Sequence, residues 1–224
     1  MMATLGQSIK SRLRALPSLR GPFAETCWDA PPPTPQQAFQ IWLDDAIAND
    51  VEEPHAMTLS TVDEHGCPDA RVLILKNVDE RGWHFAIKAD SPKGRQIAAN
   101  AQVALTIYWS QLGRQIRIRG TAVALSEAEC AADFKERPLG SKVSAIASQQ
   151  SEVLRTSDEL RDSLVDAQAF LDGQPDYVAP GWVVYAVLPD SVEFWQGATD
   201  RLHKRLRYSG MTQEGVWQTQ NLWP

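Results

Sequence analysis

The chain has 224 residues, of which 43% are hydrophobic and 22% charged, as expected for a globular domain with a sizeable core. Its formal net charge of −6 and its pI near 5.2 argue against nucleic acid as a partner, since polyanions are bound by basic surfaces. No apolar run approaches the ~20 residues that span a bilayer, and no secretory signal is recognisable. We therefore expect a cytoplasmic protein with no membrane partner.

The three cysteines, Cys27, Cys67 and Cys130, are far apart in the chain. They form neither a CxxC pair nor a Cys/His cluster at the spacing of metal ligands. This pattern predicts reduced thiols and no metal site.

The first 34 residues end in the sequence DAPPPTP, whose prolines have no amide hydrogen to donate to a strand or helix. We interpret residues 1–34 as a mobile N-terminal arm that orders against a partner subunit or a ligand, and residues 35–224 as a single domain. Apolar residues at helical spacing predict that this domain opens with a helix over residues 35–50.

The pattern then changes to short apolar runs separated by turn residues, which predicts strands over residues 56–62, 70–78 and 83–89. Ser91 and Pro92 supply an N-cap and a first-turn proline for a short helix. Lys93 lies at the N-terminus of this helix, where backbone amides and the helix dipole favour an anion.

Two longer strands are predicted over residues 102–109 and 114–125, followed by a helix that begins with the capping box of Ser126 and Glu129 and extends to about Arg137. A second capping box, Thr156 with Glu159, opens a helix to about residue 171. Four further strands, WVVYAVLP, SVEFWQG, RLHKRLRYS and VWQTQNL, complete the chain. About nine strands with three or four helices predict a mainly β (α+β) fold, a barrel with helical insertions.

One stretch, SVEFWQGATDRLHKRLRY, is difficult to explain as fold maintenance alone. It carries potential cations at alternate positions, which lie on one face if the segment is an extended strand: Arg201, His203, Arg205 and Arg207. Such a face either is solvated, as on a basic edge strand, or holds an anion. Trp195 lies just before it, which favours a planar anionic ligand.

Further basic residues are predicted at the ends of strands or helices: Arg71, Lys76, Lys93 and Arg137. Taken singly, each is explained as a surface cation. Together they indicate a ligand set with more than one anionic group. A phosphate-bearing aromatic cofactor, a carboxylate or phosphate substrate, or both would fit.

Several separated motifs resemble, in order, those of the pyridoxamine 5′-phosphate oxidase family: RVLILK, SPKG, RQIRIRG, RPLGS, SQQS, EFWQG and RLHKRLRY. The resemblance extends from about Pro35 to the end of the chain. It implies an FMN-binding split β-barrel and a homodimer with FMN at the subunit interface. The implied activity is an oxidase that takes two electrons from a small anionic aromatic substrate and passes them to O2, which gives H2O2.

The resemblance also implies the roles of individual residues. The implied FMN contacts are Arg71, Val72, Leu73, Ile74, Lys76, Lys93, Gln115, Gln150, Ser151, Trp195 and Arg205. The implied substrate contacts are Lys76, Arg137, Ser141, Arg201 and His203, of which Arg201 and His203 are the catalytic pair.

The chain departs from the family pattern at several positions. Pro92 and the pair Ala86-Ile87 stand where the family has phosphate ligands, and we expect weaker FMN binding. Asp133 replaces a tyrosine, and its charge is expected to oppose a substrate phosphate. These changes resemble the phenazine-biosynthesis branch and favour an oxidase of reduced phenazine carboxylates.

Two alternatives stay open. The first is pyridoxine/pyridoxamine 5′-phosphate oxidase, which makes pyridoxal 5′-phosphate in vitamin B6 metabolism. The second is a non-catalytic flavin or haem carrier on the same fold.

Overall fold

The computed structural model describes residues 8–19, 21–24, 30–212 and 215–224. Within them the helices are α1 Ile9–Ala15, α2 Pro35–Ala48, α3 Pro92–Ala99, α4 Glu127–Glu136, α5 Leu139–Ala147 and α6 Ser157–Gly173. The strands are β1 Ala56–Val62, β2 Pro68–Ile74, β3 Asn77–Asp79, β4 Gly82–Lys88, β5 Gln102–Trp109, β6 Arg114–Ala124, β7 Trp182–Gln196, β8 Lys204–Met211 and β9 Trp217–Asn221. In these residues no helix combines the length and apolar character needed to cross a membrane.

The predicted fold class, mainly β with helical insertions, is confirmed. The strands form one sheet in the order β2-β1-β5-β6-β7-β4-β3, and β8 pairs with both β7 and β9. Several pairs of consecutive strands are antiparallel, namely β1 with β2, β3 with β4 and β8 with β9; in the first pair Ala56 lies opposite Ile74 and Val62 opposite Pro68. The sequence leads to this arrangement because turn residues such as those at 63–67 separate short apolar runs.

The helix boundaries follow the capping residues. The Thr34 side chain accepts a hydrogen bond from the Gln37 amide and begins α2. At α4, the Ser126 hydroxyl accepts from the Glu129 amide, while the Glu129 carboxylate accepts from the Ser126 amide. Two backbone donors at the start of the helix are thereby satisfied, as the predicted capping box requires.

The predicted strand over residues 70–78 is wrong in one respect, because it is two strands. β2 ends at Ile74, the Leu75 amide donates to the His55 carbonyl at 2.9 Å, and the Lys76 amide then donates to the His84 carbonyl at 2.8 Å. The backbone thus leaves β1 and continues alongside β4. Lys76 is the residue at which this change of partner occurs.

The two strands predicted on either side of Pro189 are one continuous strand, β7. Proline lacks an amide hydrogen and normally interrupts a ladder. Gly120 of β6 explains the continuity, because a Cβ there would lie 2.1 Å from the Leu188 carbonyl oxygen and 2.9 Å from Pro189 Cα. The two backbones can approach this closely only where one residue has no side chain.

The chain divides into two compact units. The first comprises residues 1–54, 108–116 and 193–224, and its buried aromatic side chains are Phe39, Trp42, Trp109, Phe194 and Tyr208. Trp42 packs edge-on against Phe194 at a centroid distance of 5.2 Å. The other face of Trp42 carries the guanidinium of Arg114, which is only 5% exposed and bonds to Asp45 and Gln196.

The second unit comprises residues 55–107 and 117–192. Alternate residues of its strands are buried, among them Met57, Leu59, Phe85 and Ile118. Phe134 of α4 is fully buried, and α5 and α6 pack together through Val143, Ala167 and Leu171. Each buried large side chain contributes about 1.5 to 3 kcal/mol to folding, so the β strands and α4 are the stable frame for the residues described below.

The predicted division into an arm of residues 1–34 and one domain of residues 35–224 stays a prediction. Within the arm, α1 is described, with Ser8 as its N-cap. Cys67 is exposed and Cys130 buried, and both are free thiols. Cys27 lies outside the described residues.

Replacing Gly82 by alanine is expected to lower the free energy of unfolding by about 3 kcal/mol, since left-handed strain and overpacking each cost about 1 to 3 kcal/mol. Gly82 has a φ of +118°, and a Cβ would lie 1.9 Å from the Val187 carbonyl oxygen. Urea denaturation measures the change. Gly173→Ala, where nothing lies within 4 Å of the added Cβ, is the control and is expected to shift stability by less than about 1 kcal/mol.

Candidate active site

The predicted site residues fall into two groups, one in each compact unit. The second unit holds Arg71, Val72, Leu73, Ile74, Lys76, Lys93, Arg137, Ser141, Gln150 and Ser151. The first unit holds Gln115, Trp195, Arg201, His203 and Arg205.

Lys93 is held at the start of α3 and is only 6% exposed. The Ser91 hydroxyl accepts from the Gly94 amide at 3.2 Å and fixes the first turn, while the Lys93 ammonium donates to Gln150 Oε1 at 2.8 Å. Burial lowers the pKa of Lys93, and the charge of Arg71 lowers it further. A buried ammonium beside a second cation favours an anionic ligand.

Arg71 lies on β2, and its guanidinium reaches toward β1 and α3. It donates to the Thr61 hydroxyl at 2.6 Å and to Gln96 Oε1 at 3.3 Å, and it pairs with Asp69. Its neighbours on β2 alternate: Leu73 is partly buried, whereas Val72 and Ile74 are 66% and 40% exposed. The strand therefore presents a cation inward and an apolar row outward.

A cavity of about 180 Å³ brings together four predicted site residues from separate segments. These four are Leu73 of β2, Lys93, Gln150 and Arg137. Its other walls are Ala86, Ile87, Lys88, Ser144, Ala145, Ser148 and Trp182. The Lys88 ammonium donates to the Ser148 carbonyl at 2.6 Å, which holds the segment after α5 against β4. Sequence reasoning missed Lys88 and Trp182, since neither belongs to a recognisable motif.

Arg137 caps the end of α4 and lies flat on an aromatic ring. Its guanidinium carbon is 4.2 Å from the centroid of Trp182, and its Nη2 donates to the Ser141 carbonyl at 3.0 Å. Burial lowers the pKa of Arg137, although the nearby Asp133 charge raises it. Its buried Nε has no hydrogen-bond partner in the described part of the chain, so the guanidinium retains donor capacity.

Asp133, whose charge is expected to oppose a substrate phosphate, has two partners of its own. Its Oδ1 lies 2.9 Å from the Lys76 ammonium, and its Oδ2 accepts a hydrogen bond from Trp182 Nε1 at 2.9 Å. Lys76 therefore already has an anionic partner. No local pattern reveals this pair, because its members are far apart in the chain and meet only through the change of partner at Lys76.

In the first unit, Arg201 and His203 do not belong to a strand, so the predicted row of four cations on one strand face is wrong. β8 begins at Lys204, and Arg201 closes a turn in which its amide donates to the Ala198 carbonyl at 3.1 Å. Arg201 has a φ of +69°, which an extended strand does not allow. Only Arg205 and Arg207 alternate along β8.

The His203 ring is fixed by two contacts. The Ala198 amide donates to Nδ1 at 3.1 Å, and Trp195 lies against the ring at a centroid distance of 4.8 Å. Because Nδ1 accepts, the proton of the neutral ring is on Nε2. His203 is thereby prepared as a hydrogen-bond donor to a ligand.

Arg205 is paired, contrary to the expectation of a row of uncompensated cations. It lies 2.8 Å from the Glu193 carboxylate and donates to the Trp223 carbonyl at 2.9 Å. Arg207 donates to Gln220 at 2.6 Å. Gln115 is partly buried on β6. Sequence reasoning missed Glu193, whose acidic side chain lies on β7 opposite the basic strand.

A second cavity, of about 220 Å³, lies beside the Arg201 turn. It is lined by residues 196–200, Lys204 and three residues of the predicted arm, Pro22, Phe23 and Ala24. Phe23 packs on Gly113, where a Cβ would lie 2.7 Å from the ring. Part of the arm is therefore ordered against the turn that presents Arg201.

Two family models match the chain in succession: pyridoxamine 5′-phosphate oxidase over residues 43–170, and the pyridoxine 5′-phosphate oxidase C-terminal dimerisation region over residues 182–224. A pyridoxine/pyridoxamine 5′-phosphate oxidase of Ectopseudomonas mendocina is 44% identical over 195 residues, which are 86% of this chain and 90% of the relative. The protein of the same name from Thermosynechococcus vestitus is 45% identical over 85% of this chain and 89% of its own length.

The chain belongs to the pyridoxamine 5′-phosphate oxidase family. A solved structure agrees: PhzG from Burkholderia lata 383, in complex with tetrahydrophenazine-1-carboxylic acid, superposes with a TM-score of 0.85 at 32% identity and covers 91% of this chain and 100% of its own. The predicted split-barrel fold of this family is confirmed, as are the enzyme class, an FMN-dependent oxidoreductase, and FMN as its cofactor. The dimerisation region supports a homodimer.

The described residues fit the phosphate of FMN. Lys93 is buried in the first turn of α3, and its pKa is lowered by this burial and further by the neighbouring Arg71. A buried ammonium beside the N-terminal amides of a helix favours an anion. Pro92 and Ile87 are two of the positions at which the sequence differs from the family pattern. Ile87 gives the cavity an apolar wall where a hydrogen-bond donor is usual in the pyridoxamine 5′-phosphate oxidase family.

In protein with ¹⁵N-labelled histidine at about pH 9, where histidine rings are neutral, His203 is expected to carry its proton on Nε2. Long-range ¹H–¹⁵N correlation spectra distinguish the two tautomers. Ala198→Pro removes the amide donor and is expected to produce a mixture. The exposed His65 serves as the control; a proton on Nδ1 of His203 in the unaltered protein would contradict the geometry.

Proposed function

We propose that the chain is a pyridoxine/pyridoxamine 5′-phosphate oxidase, which oxidises a phosphorylated B6 vitamer to pyridoxal 5′-phosphate. The observation that carries the proposal is the cavity lined by both Lys93 and Arg137. Lys93 suits the cofactor phosphate and Arg137 suits a substrate anion, and both line this one cavity. Relatives of that name, matched over nearly their whole length, support the phosphate ester as substrate.

The cofactor phosphate is assigned to the donors around α3. Lys93, Arg71 and Gln150 hold it, and β2 through Lys76, with Ser151, Gln115, Trp195 and Arg205, completes the proposed FMN contacts. Bound FMN would supply the redox chemistry, namely acceptance of a hydride equivalent from the substrate and transfer of two electrons to O2 to give H2O2. The protein thus supplies chiefly orientation and electrostatic stabilisation.

The substrate is assigned to two sets of residues. Arg137 and Lys76, with Ser141, receive its anionic group. His203 Nε2–H donates to a polar atom of the ring, and Arg201, held by the turn at Ala198, supplies the second cation of the catalytic pair. No residue in this set is required to remove a carbon-bound proton.

The homodimer is proposed to carry FMN at the subunit interface. β2 lies at one end of the strand order and exposes Val72 and Ile74. An apolar edge strand is an aggregation hazard unless another surface covers it. A partner subunit over β2 would bury these side chains and enclose the ligand held by Arg71.

A second candidate function is the oxidation of a reduced phenazine carboxylate, which the sequence analysis favoured. The specific observation behind it is the superposition with PhzG bound to tetrahydrophenazine-1-carboxylic acid. The names of the relatives at 44% and 45% identity support the phosphate ester better. Oxidation of a reduced phenazine carboxylate is therefore the second candidate.

Lys93→Met is expected to weaken FMN binding about 10- to 100-fold, since a hydrogen bond to a charged group contributes about 1.5 to 3 kcal/mol. Because the pKa of Lys93 is lowered, its charge is lost at a lower pH than that of an ordinary lysine. FMN affinity should therefore fall as pH rises, and Lys93→Arg should move that fall to higher pH. Quenching of flavin fluorescence measures both.

Lys135→Met, at an exposed lysine of α4, is the control for this titration. It is expected to bind FMN like the unaltered protein at every pH. Equal losses in the two methionine variants would refute the assignment of Lys93 to the phosphate.

Oxygen consumption decides between the two substrates. Pyridoxine 5′-phosphate is expected to drive O2 uptake and H2O2 release far faster than a reduced phenazine carboxylate. Arg137→Ala should raise KM for the phosphate ester about 10- to 100-fold with a smaller change in kcat, because it removes binding to a group remote from the reacting carbon.

Arg161→Ala, at an exposed arginine of α6, is the matched control and should leave KM unchanged. Faster turnover of the phenazine carboxylate would replace the proposal by the second candidate. An unchanged KM in Arg137→Ala would remove Arg137 from the substrate site.

A further inference from the structure

Asp133 lies at the centre of the residues proposed to receive the substrate anion. One carboxylate oxygen is 2.9 Å from the Lys76 ammonium, and the other accepts from Trp182 Nε1 at 2.9 Å. The Asp133 and Lys76 side chains are 16% and 32% exposed, respectively. The pair is therefore screened by water less than a fully exposed surface pair.

The same carboxylate also supports Arg137. It holds the indole of Trp182, which packs edge-on against the buried Phe134 at 5.7 Å and carries the Arg137 guanidinium on its face. Arg137 is held from its other side by the Ser141 carbonyl. Asp133 thus positions Arg137 through Trp182 and neutralises the charge of Lys76.

The charges of this cluster leave a single net positive charge. Lys76 and Asp133 cancel, and Arg137 remains. An anion that reaches Arg137 and Lys76 also approaches Asp133, and Coulomb repulsion from Asp133 is twice as large for a dianion as for a monoanion at the same position.

We propose that Asp133 is a specificity-determining residue: by neutralising Lys76, it lowers the advantage that a doubly charged anion has over a singly charged one at this site. The singly charged anions comprise carboxylates and singly ionised phosphate esters. This inference rests on the proposed function, since it takes Lys76 and Arg137 as the residues that receive the anion. A phosphate ester loses its second proton near pH 6, at roughly the value for phosphorylated side chains, so Asp133 opposes a phosphate ester more strongly above this pH than below it, whereas its effect on a carboxylate does not change.

Other titratable groups lie nearby. Lys88 and Lys93 line the cavity with Arg137, and the His84 ring, whose backbone carbonyl accepts from the Lys76 amide, bonds to Asp79 at 2.9 Å. Tyr185 on β7 has a raised pKa through burial and the nearby Cys130. Comparing Asp133→Asn with the unaltered protein, for the same ligand at the same pH, cancels the contributions of these groups.

Phenyl phosphate and benzoate are suitable probes, because they share a ring and differ in charge. Isothermal titration calorimetry of the oxidised FMN-loaded protein gives their affinities at pH 5 and pH 8. Asp133→Asn removes the charge and keeps an oxygen for Trp182 Nε1. At pH 8 it should tighten phenyl phosphate about tenfold and benzoate about threefold, since a dianion gains twice the electrostatic energy of a monoanion.

Glu136→Gln, at an exposed carboxylate on the same helix, is the matched control and should change neither affinity. Lys76→Met provides an independent variant. It leaves the Asp133 charge uncompensated and should weaken phenyl phosphate more than benzoate.

Three results would overturn the inference: equal weakening of both ligands in Asp133→Asn, an effect of Asp133→Asn on phenyl phosphate that is no larger at pH 8 than at pH 5, or no binding of either ligand. The first would assign Asp133 only to the support of Trp182. These titrations need no turnover. Failure of pyridoxine 5′-phosphate as a substrate would therefore refute the proposed function without affecting this reading of Asp133.

Discussion

A cation removed from water requires a partner, and this constraint organises both groups of site residues. Arg114 is almost fully buried between Trp42, Asp45 and Gln196, at the end of the strand that carries Gln115. Lys93 bonds to Gln150, and Lys76 pairs with Asp133. Each partner orients the cation before any ligand arrives, so less conformational entropy is lost on binding.

The parts of the fold that follow from neighbouring residues could be predicted from the sequence. The start of α4 at Ser126 and Glu129 depends on a hydrogen-bonded pair three residues apart, and the start of α3 depends on Ser91 and Pro92. The alternation in β1 and β5 reflects burial of one face. These signals are local, and local signals are readable without a structure.

What could not be predicted depends on contacts between distant segments. Asp133 appears in the sequence as an acidic substitution in a basic site, and only the path of the chain at Lys76 shows that the two neutralise each other. Pro189 appears to end a strand, and only its position opposite Gly120 explains why it does not. The regular spacing of Arg201 and His203 with Arg205 was misleading, because the Arg201 turn precedes the strand.

If a partner subunit covers the apolar outer row of β2, as proposed, assembly is coupled to folding. A subunit that leaves its partner would return Val72 and Ile74 to water at an edge strand, so dissociation and loss of structure would be linked events. By mass action, the apparent melting temperature would then rise with protein concentration. The resistance of the protein to heat would in that case depend on the dimer and on the protein concentration.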